Sequence, residues 1–258
     1  MSDKPVLQVL DLKLSFGGIR ALDGVDLLVK PGEIVGLIGP NGSGKTSVLN
    51  IISGLYKADN GKILFDGKDI TGFPPHKIAG MGIGRSFQLA ELFRLMTVLE
   101  NLLLGCHTEM KSNLFSSGVF WGMAQKEEIV FRKRVEEVID FMELARYRKH
   151  MVGSLSIGLQ KLVGVARALC MHPRIMFLDE PSSGMNRQEK EDLARFVMRI
   201  KYELGIPVLW VEHDMKLIGD LTDRLVVLHC GRKIAEGTFE EVTTNPAVVR
   251  AFLGVQVC

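Results

Sequence analysis

Runs of apolar and polar positions divide this chain into short stretches of differing character. Val6 to Phe16 and Ala21 to Val29 read as strands, punctuated by Gly17-Gly18 and Pro31-Gly32, and predict an antiparallel β layer at the N-terminal end. Ile34 to Ile38 is apolar throughout, as a strand covered on both faces requires, and leads into Ser47 to Ile52 through a glycine-rich loop. Gly61 to Phe65 and Lys68 to Ile70 flank Asp66-Gly67, a pair suited to the positive φ of a hairpin turn. Thr97 with Glu100 fits a capping box that opens a helix over Val98 to Leu104. His107 to Gln125 has no clean period and reads as a loop or short irregular helix; its Phe115, Phe120 and Trp121 suit a docking surface or a packed loop equally.

Helical spacing returns over Lys126 to Leu144, where Ile129, Val135, Val138, Ile139 and Met142 form one stripe. Leu155 to Gln160 opens another helix, continued by Leu162, Val165, Ala166 and Leu169. Ile175 to Leu178 and Ile206 to Val211 predict two further buried strands. Leu225 to Leu228, the turn at Gly231 and Lys233 to Ala235 predict a last hairpin, with a closing helix over Glu240 to Phe252. The expected fold class is α/β: a mostly parallel core sheet behind the antiparallel layer.

At 258 residues the chain can bury a sizeable core, and one large domain, or one with a subdomain, is expected. Its 32 Lys+Arg against 30 Asp+Glu give a net charge of +2, too little for a sequence-independent grip on a nucleic-acid backbone. A mean hydropathy of +0.17 is high. The apolar runs nevertheless fall far short of the ~20 residues that a membrane span needs, so the surplus is assigned to a partner surface. Met1 to Leu14 is interrupted by Asp3, Lys4, Gln8, Asp11 and Lys13, and position 2 is not glycine, so neither a secretory signal nor myristoylation is expected and the chain is placed in the cytosol. Cys106, Cys170, Cys230 and Cys258 form no C-x-x-C pair, and all four are expected reduced.

The chemistry concentrates at Gly39-Pro40-Asn41-Gly42-Ser43-Gly44-Lys45-Thr46, followed by Ser47. Glycines let a strand-to-helix loop curl its amides inward toward phosphate oxygens, and the helix N-terminus adds partial positive charge. Lys45 is placed to reach the outer phosphates and the Thr46 hydroxyl to ligate Mg²⁺, so a nucleoside triphosphate with magnesium is the implied ligand. Asp179-Glu180 closes an apolar strand, and buried carboxylates there demand a cation. Successive side chains on a strand end diverge, which gives Asp179 the metal side and Glu180 the attacking water as general base. His213 follows the strand ending at Val211 and repeats that placement, whereas His76, His107, His150, His172 and His229 read as structural.

With the glycine loop, Gln88, Leu155-Ser156-Ile157-Gly158, Asp179-Glu180 and His213 in this order, the chain resembles the ATP-binding-cassette ATPases nearly end to end. The resemblance implies a single cassette domain over 1–258, with a P-loop core and a helical subdomain, roughly 89–170, carrying the signature Leu-Ser-x-Gly. It implies that Phe16 stacks on adenine, that Gln88 touches Mg²⁺ and senses a membrane partner, and that His213 contacts the γ-phosphate. Lys45, Gln88, Glu180 and His213 would then be the catalytic set, and Ser156 and Gly158 would close on the nucleotide of a second subunit. Gly82 to Gln88, Met96 to Leu102, Gly184-Met185-Asn186 and Glu212 to Met215 further resemble the ATPase subunits of branched-chain amino-acid importers. That implies ATP hydrolysis at the inner face of a membrane, with permease subunits and, indirectly, a binding protein as partners and no nucleic acid. A different cargo, such as urea or lipopolysaccharide, or a soluble non-transport cassette, is the alternative. Two departures stand out: Ile157 and Leu159 replace Gly and Gln of the usual Leu-Ser-Gly-Gly-Gln, with Gln160 one place late, and Asn186 replaces the usual Asp.

Overall fold

The computed structural model describes residues 4–86, 92–106, 123–213 and 215–253, without the side chains of residues 123–127 and 216. Gln88, Phe115, Phe120, Trp121 and Cys258 lie outside the described residues, so the expectations placed on them do too.

Two sheets pack face to face. The first is antiparallel, in the order β2-β1-β4-β5, built from β1 (Leu7–Phe16), β2 (Ile19–Val29), β4 (Asn60–Phe65) and β5 (Lys68–Asp69). The second has the order β10-β9-β3-β8-β7-β6, from β3 (Ile34–Ile38), β6 (Ile83–Ser86), β7 (Ile175–Asp179), β8 (Val208–Val211), β9 (Arg224–His229) and β10 (Arg232–Gly237). Its strands run parallel except β10, which returns antiparallel to β9.

Every residue of β3, β7 and β8 is buried, which is why these strands read as unbroken apolar runs. Alternation then sorts their side chains between two cores. Ile34, Ile38, Met176, Leu178 and Trp210 share a core with the later helices, while Val35, Leu37, Phe177, Leu209 and Val211 share one with the antiparallel sheet and the helix that follows the glycine loop.

The helices are α1 (Lys45–Ile52), α2 (Pro75–Gly80), α3 (Val98–Gly105), α4 (Met123–Phe141), α5 (Ile157–Cys170), α6 (Arg187–Leu204), α7 (Met215–Gly219), α8 (Phe239–Thr244) and α9 (Pro246–Phe252). Thr97 and Glu100 do form the capping box: Glu100 N donates to Thr97 Oγ1 at 3.2 Å and Thr97 N to Glu100 Oε2 at 2.7 Å. α3 approaches α5 closely because position 105 is glycine; a Cβ there would sit 2.4 Å from the Arg167 carbonyl.

Two expectations are corrected. The closing helix is two helices, because Pro246 has no N–H to continue α8 and instead starts α9, capped by Asn245 Oδ1 accepting from Ala247 N at 2.9 Å. Cys106 and Cys170 are buried and outside any disulfide as expected, but Cys230 is disulfide-bonded, which the absence of a C-x-x-C pair does not reveal.

Candidate functional site

The glycine loop joins the C-terminal end of β3 to α1. Gly39 (φ 152°) and Gly44 (φ 105°) adopt backbone conformations open to glycine, and both are also packed too tightly for a side chain. A Cβ on Gly39 would lie 2.1 Å from the Leu228 carbonyl, and one on Gly44 2.9 Å from the Ala21 carbonyl. The loop is held to the neighbouring hairpin by Gly231 N donating to Ser43 O at 3.1 Å, and the same glycine is tied to β2 by Asp23 N donating to Gly231 O at 2.8 Å. Lys45 is only 5% exposed and folds back, its Nζ donating to the carbonyls of Gly39 at 2.9 Å and Pro40 at 3.0 Å. Burial holds its pKa below the usual lysine value, with Glu180 and Asp179 pulling the other way. A cationic group beside carbonyls it can release is a charge stored for an incoming anion.

Glu180 and Ala21 line one cleft of about 340 Å³ with loop residues between Asn41 and Ser47. A roomier groove of about 610 Å³, bordered by Phe141, Leu169, His172 and Ile206, lies near the N-terminal ends of β7 and β8 and has no phosphate-type loop. The smaller cleft is the candidate site because strand ends, glycine loop and acidic residue converge there, as in open α/β sheets generally.

At the end of β7, Asp179 is 6% exposed and its Oδ2 accepts from Arg85 Nη2 of β6 at 2.7 Å. Arg85 Nη1 also donates to Asn50 Oδ1 of α1 at 2.9 Å, so this guanidinium joins strand, helix and carboxylate. Asp179 Oδ1 is buried with no hydrogen-bond partner, and so is Ser43 Oγ. A buried carboxylate oxygen left without a partner beside a phosphate-type loop fits Mg²⁺ or its water shell. Among the described residues no three His, Cys, Asp or Glu side chains converge as a self-sufficient metal cage. That suits a cation which takes one carboxylate, a hydroxyl and ligand phosphates.

Glu180 follows in the left-handed region at φ 46°, an unusual conformation for a residue with a side chain. Its amide donates to Val211 O at 2.9 Å, and its carbonyl accepts from Lys161 Nζ at 3.2 Å. Lys161 also donates to the Ser183 carbonyl. Glu212 is fully buried, its Oε1 accepting from Ser182 N and its Oε2 from His213 N, each at 3.0 Å. His213 Nδ1 stands 3.6 Å from Glu212 Oε2 and 3.9 Å from Glu180 Oε2, beyond direct hydrogen bonding. The histidine ring thus lies at the cleft beside Glu180.

Ser156 and Gly158 stand at the start of α5, joined within the chain to the segment after β7. Ser156 Oγ caps the helix by accepting from Leu159 N at 3.3 Å and donates to Glu189 Oε1 at 2.8 Å. Glu189 in turn takes part in the capping box of α6 with Asn186, which explains how Asn serves where Asp is usual: both are good N-caps. A Cβ on Gly158 would lie 2.3 Å from Glu189 Cδ, giving this glycine a packing reason of its own. Gln160 does not stand in for the missing signature glutamine: it is buried, with Nε2 donating to Leu155 O at 2.8 Å. Phe16, at the end of β1, is 47% exposed and meets Tyr56 edge-on at 5.4 Å.

The sequence pattern assigns no role of their own to Arg85, Lys161, Glu189 or Glu212. Arg85 had a usable signal, a cation inside a short strand, which demands a buried anion. Glu212 had one as well, closing an apolar run. Lys161 and Glu189 look like any charged helix residues.

A family model described as ABC transporter matches residues 22–183, and one described as branched-chain amino acid ATP-binding cassette transporter matches residues 232–257. The chain is 38% identical to the high-affinity branched-chain amino acid transport ATP-binding protein BraF of Pseudomonas aeruginosa, over 97% of this chain and 98% of that protein. It is also 38% identical to the LivG protein of Escherichia coli K12, described in the same words, with the same coverage. Among solved structures, the ADP conformation of an ATP-binding cassette of an ABC transporter superposes with a TM-score of 0.86 at 34% identity, over 97% of this chain and 99% of that one. A nucleotide-free cassette from an ABC transporter gives 0.85 at 34% identity, over 96% and 99%. By sequence over nearly its whole length, by fold and by the placement of its glycine loop, this chain belongs to the ABC transporter family as an ATP-binding cassette ATPase.

Proposed function

We propose that this chain hydrolyses ATP with Mg²⁺ to drive a membrane importer of branched-chain or other hydrophobic amino acids. The observation that carries the enzymatic part is the shared cleft: Glu180, immediately after β7, faces the residues of the glycine loop across one cavity. The cargo rests on the nearly full-length similarity to BraF and LivG and on the match of residues 232–257 to the branched-chain family model. Among the described residues no helix is long and apolar enough to cross a membrane; in this reading separate permease subunits provide the path. The chain is placed against the inner face of that membrane, with a binding protein acting through the permease and a second cassette, identical or paralogous, as dimer partner.

In this reading Lys45 turns from the Gly39 and Pro40 carbonyls to the outer phosphates, which the loop amides cradle. Thr46 and Asp179 would hold Mg²⁺, the Asp179 carboxylate being fixed by Arg85 through Oδ2. When bound, Mg²⁺ neutralises charge spread over the phosphates. Gln88 is assigned beside it. Glu180 accepts the proton of the attacking water, and His213 meets the γ-phosphate. Phe16 offers its exposed face to adenine. Ser156 and Gly158, on a helical subdomain of roughly residues 89–170, close on the partner's nucleotide once Ser156 leaves Glu189. Catalysis is then mostly positioning and charge stabilisation.

The test is reconstitution: the chain is co-purified from detergent-solubilised membranes, its companions identified by mass spectrometry, and the assembly placed in vesicles with radiolabelled leucine outside. ATP-dependent leucine accumulation with permease subunits present supports the reading. Companions from the ribosome, or uptake of another cargo in preference to leucine, isoleucine and valine, overturn the transport or cargo assignment respectively.

A further inference from the structure

Glu180 is held in a conformation that its own residue type does not favour, and the restraints come from far away in sequence. At φ 46° its Cβ crowds the backbone, a strain of about 1–3 kcal/mol that survives only where neighbours fix the turn. No glycine takes the strained position, in contrast to the loop before α1. The turn from Glu180 to Met185 has its own weak bonds, Ser183 N to Glu180 O at 3.3 Å and Met185 N to Ser182 O at 3.1 Å. Two charged side chains clamp it further. Lys161 Nζ donates to the carbonyls of Glu180 and Ser183, and Glu212 Oε1 accepts from the amide between them, Ser182 N, at 3.0 Å.

We propose that Lys161 is a positioning residue for hydrolysis, gripping two carbonyls of the turn so that the strained Glu180 is held facing the glycine loop. This rests on the reading of Glu180 as general base. Lys161 is suited to the task because its ammonium has three donors and no acceptor, so it can hold two carbonyls at once, and the full charge strengthens both bonds. Burial lowers its pKa while Glu212 and Glu180 oppose that. Lys161 belongs to α5, whose N-cap is Ser156, so the turn carrying Glu180 is fastened to the helix that carries the signature. A shift of that helix is transmitted to Glu180 through this side chain.

The experiment compares Lys161→Met, Lys161→Arg, Glu180→Gln and the double variant Lys161→Met/Glu180→Gln, each as the full chain assembled with its partner subunits. Turnover is followed at saturating ATP, and affinity by titration with the fluorescent analogue mant-ATP. Misplacing a catalytic group by about 1 Å costs roughly 100-fold, so Lys161→Met is expected to lower kcat by ~10- to 100-fold while mant-ATP affinity is unchanged. Lys161→Arg, which keeps a charged donor, should recover most of the rate. The double variant should be no slower than Glu180→Gln alone, because a residue acting through Glu180 has nothing left to position. Wild-type turnover in Lys161→Met, or losses that multiply in the double variant, would overturn the proposal. If Lys161→Met does not fold, Lys161→Gln undergoes the same comparison, with the same outcomes deciding. A Glu180→Gln protein as fast as wild type removes the base assignment itself, whereas a slow Glu180→Gln with a fast Lys161 variant removes only the positioning role.

Discussion

The loops leaving β3 and β7 both end at the same cleft, yet they are built by opposite means. After β3, Gly39 and Gly44 take their unusual torsions without a side-chain penalty, and the loop's own Lys45 bonds the carbonyls of Gly39 and Pro40, with Gly231 of the hairpin as its distant anchor. After β7, Glu180 takes a left-handed torsion as a residue that must keep its side chain, and the turn is fixed by Arg85, Lys161 and Glu212 from three separate parts of the chain. The first loop needs an empty concavity lined with amides, which glycine provides. The second needs two carboxylates aimed in different directions, so its conformation has to be imposed from outside. Under the proposed reading, strain at Glu180 is the counterpart of its role as base.

The largest effect that would break this comparison lies in the β7 loop. Glu180→Gln keeps shape but removes the proposed proton acceptor, and turnover should fall by ~10²- to 10⁴-fold with ATP binding retained. Paired measurement of kcat and mant-ATP affinity decides it; a lost affinity with normal turnover per bound ATP would assign Glu180 to binding instead. Arg85→Met comes next. It strands the buried Asp179 carboxylate, and chemical denaturation should show a loss of about 3–5 kcal/mol, the cost of breaking a buried ion pair from one side. A loss below 1 kcal/mol would mean that Asp179 finds other compensation.

In the β3 loop, Lys45→Ala should weaken ATP binding by about 10- to 100-fold, the range for removing a charged hydrogen-bonding partner. Isothermal titration with ATP and magnesium reads this directly. Gly44→Ala puts a Cβ 2.9 Å from the Ala21 carbonyl at φ 105° and should cost roughly 1–3 kcal/mol of stability, visible as a lowered denaturation midpoint. The smallest effect has the opposite sign. Glu180→Gly should be more stable than Glu180→Gln by about 1 kcal/mol, since only the backbone penalty separates them, while both turn over slowly. Equal stability of the two would show that the β7 turn stores no strain.

The β3 loop was legible because its instructions are local: residue types at fixed offsets, between an apolar run and a helix, state the torsions and the chemistry together. The β7 acids were legible for a related reason, since charge at the end of a fully apolar strand has few uses. What holds those acids was not legible. Lys161 lies on a helix where lysine is ordinary, and Glu189 looks like a solvated helix residue until Ser156 is brought 2.8 Å away. The signature departure at Leu159 also changes meaning, because only packing reveals that Gln160 turns inward to Leu155 O. Helix ends set by one residue, as at Pro246, leave no mark on apolar periodicity.

Sequence by itself determined the unbroken apolar strands, the glycine loop and the positions of Asp179, Glu180 and His213, because each is written within a few residues and enforced by short-range sterics or solvation. Tertiary structure alone decided that Arg85 takes one oxygen of Asp179, that Lys161 and Glu212 clamp a strained turn, and that Ser156 rests on Glu189. Those contacts join residues distant in the chain through long, flexible charged side chains, whose partners are fixed by which strands and helices become neighbours.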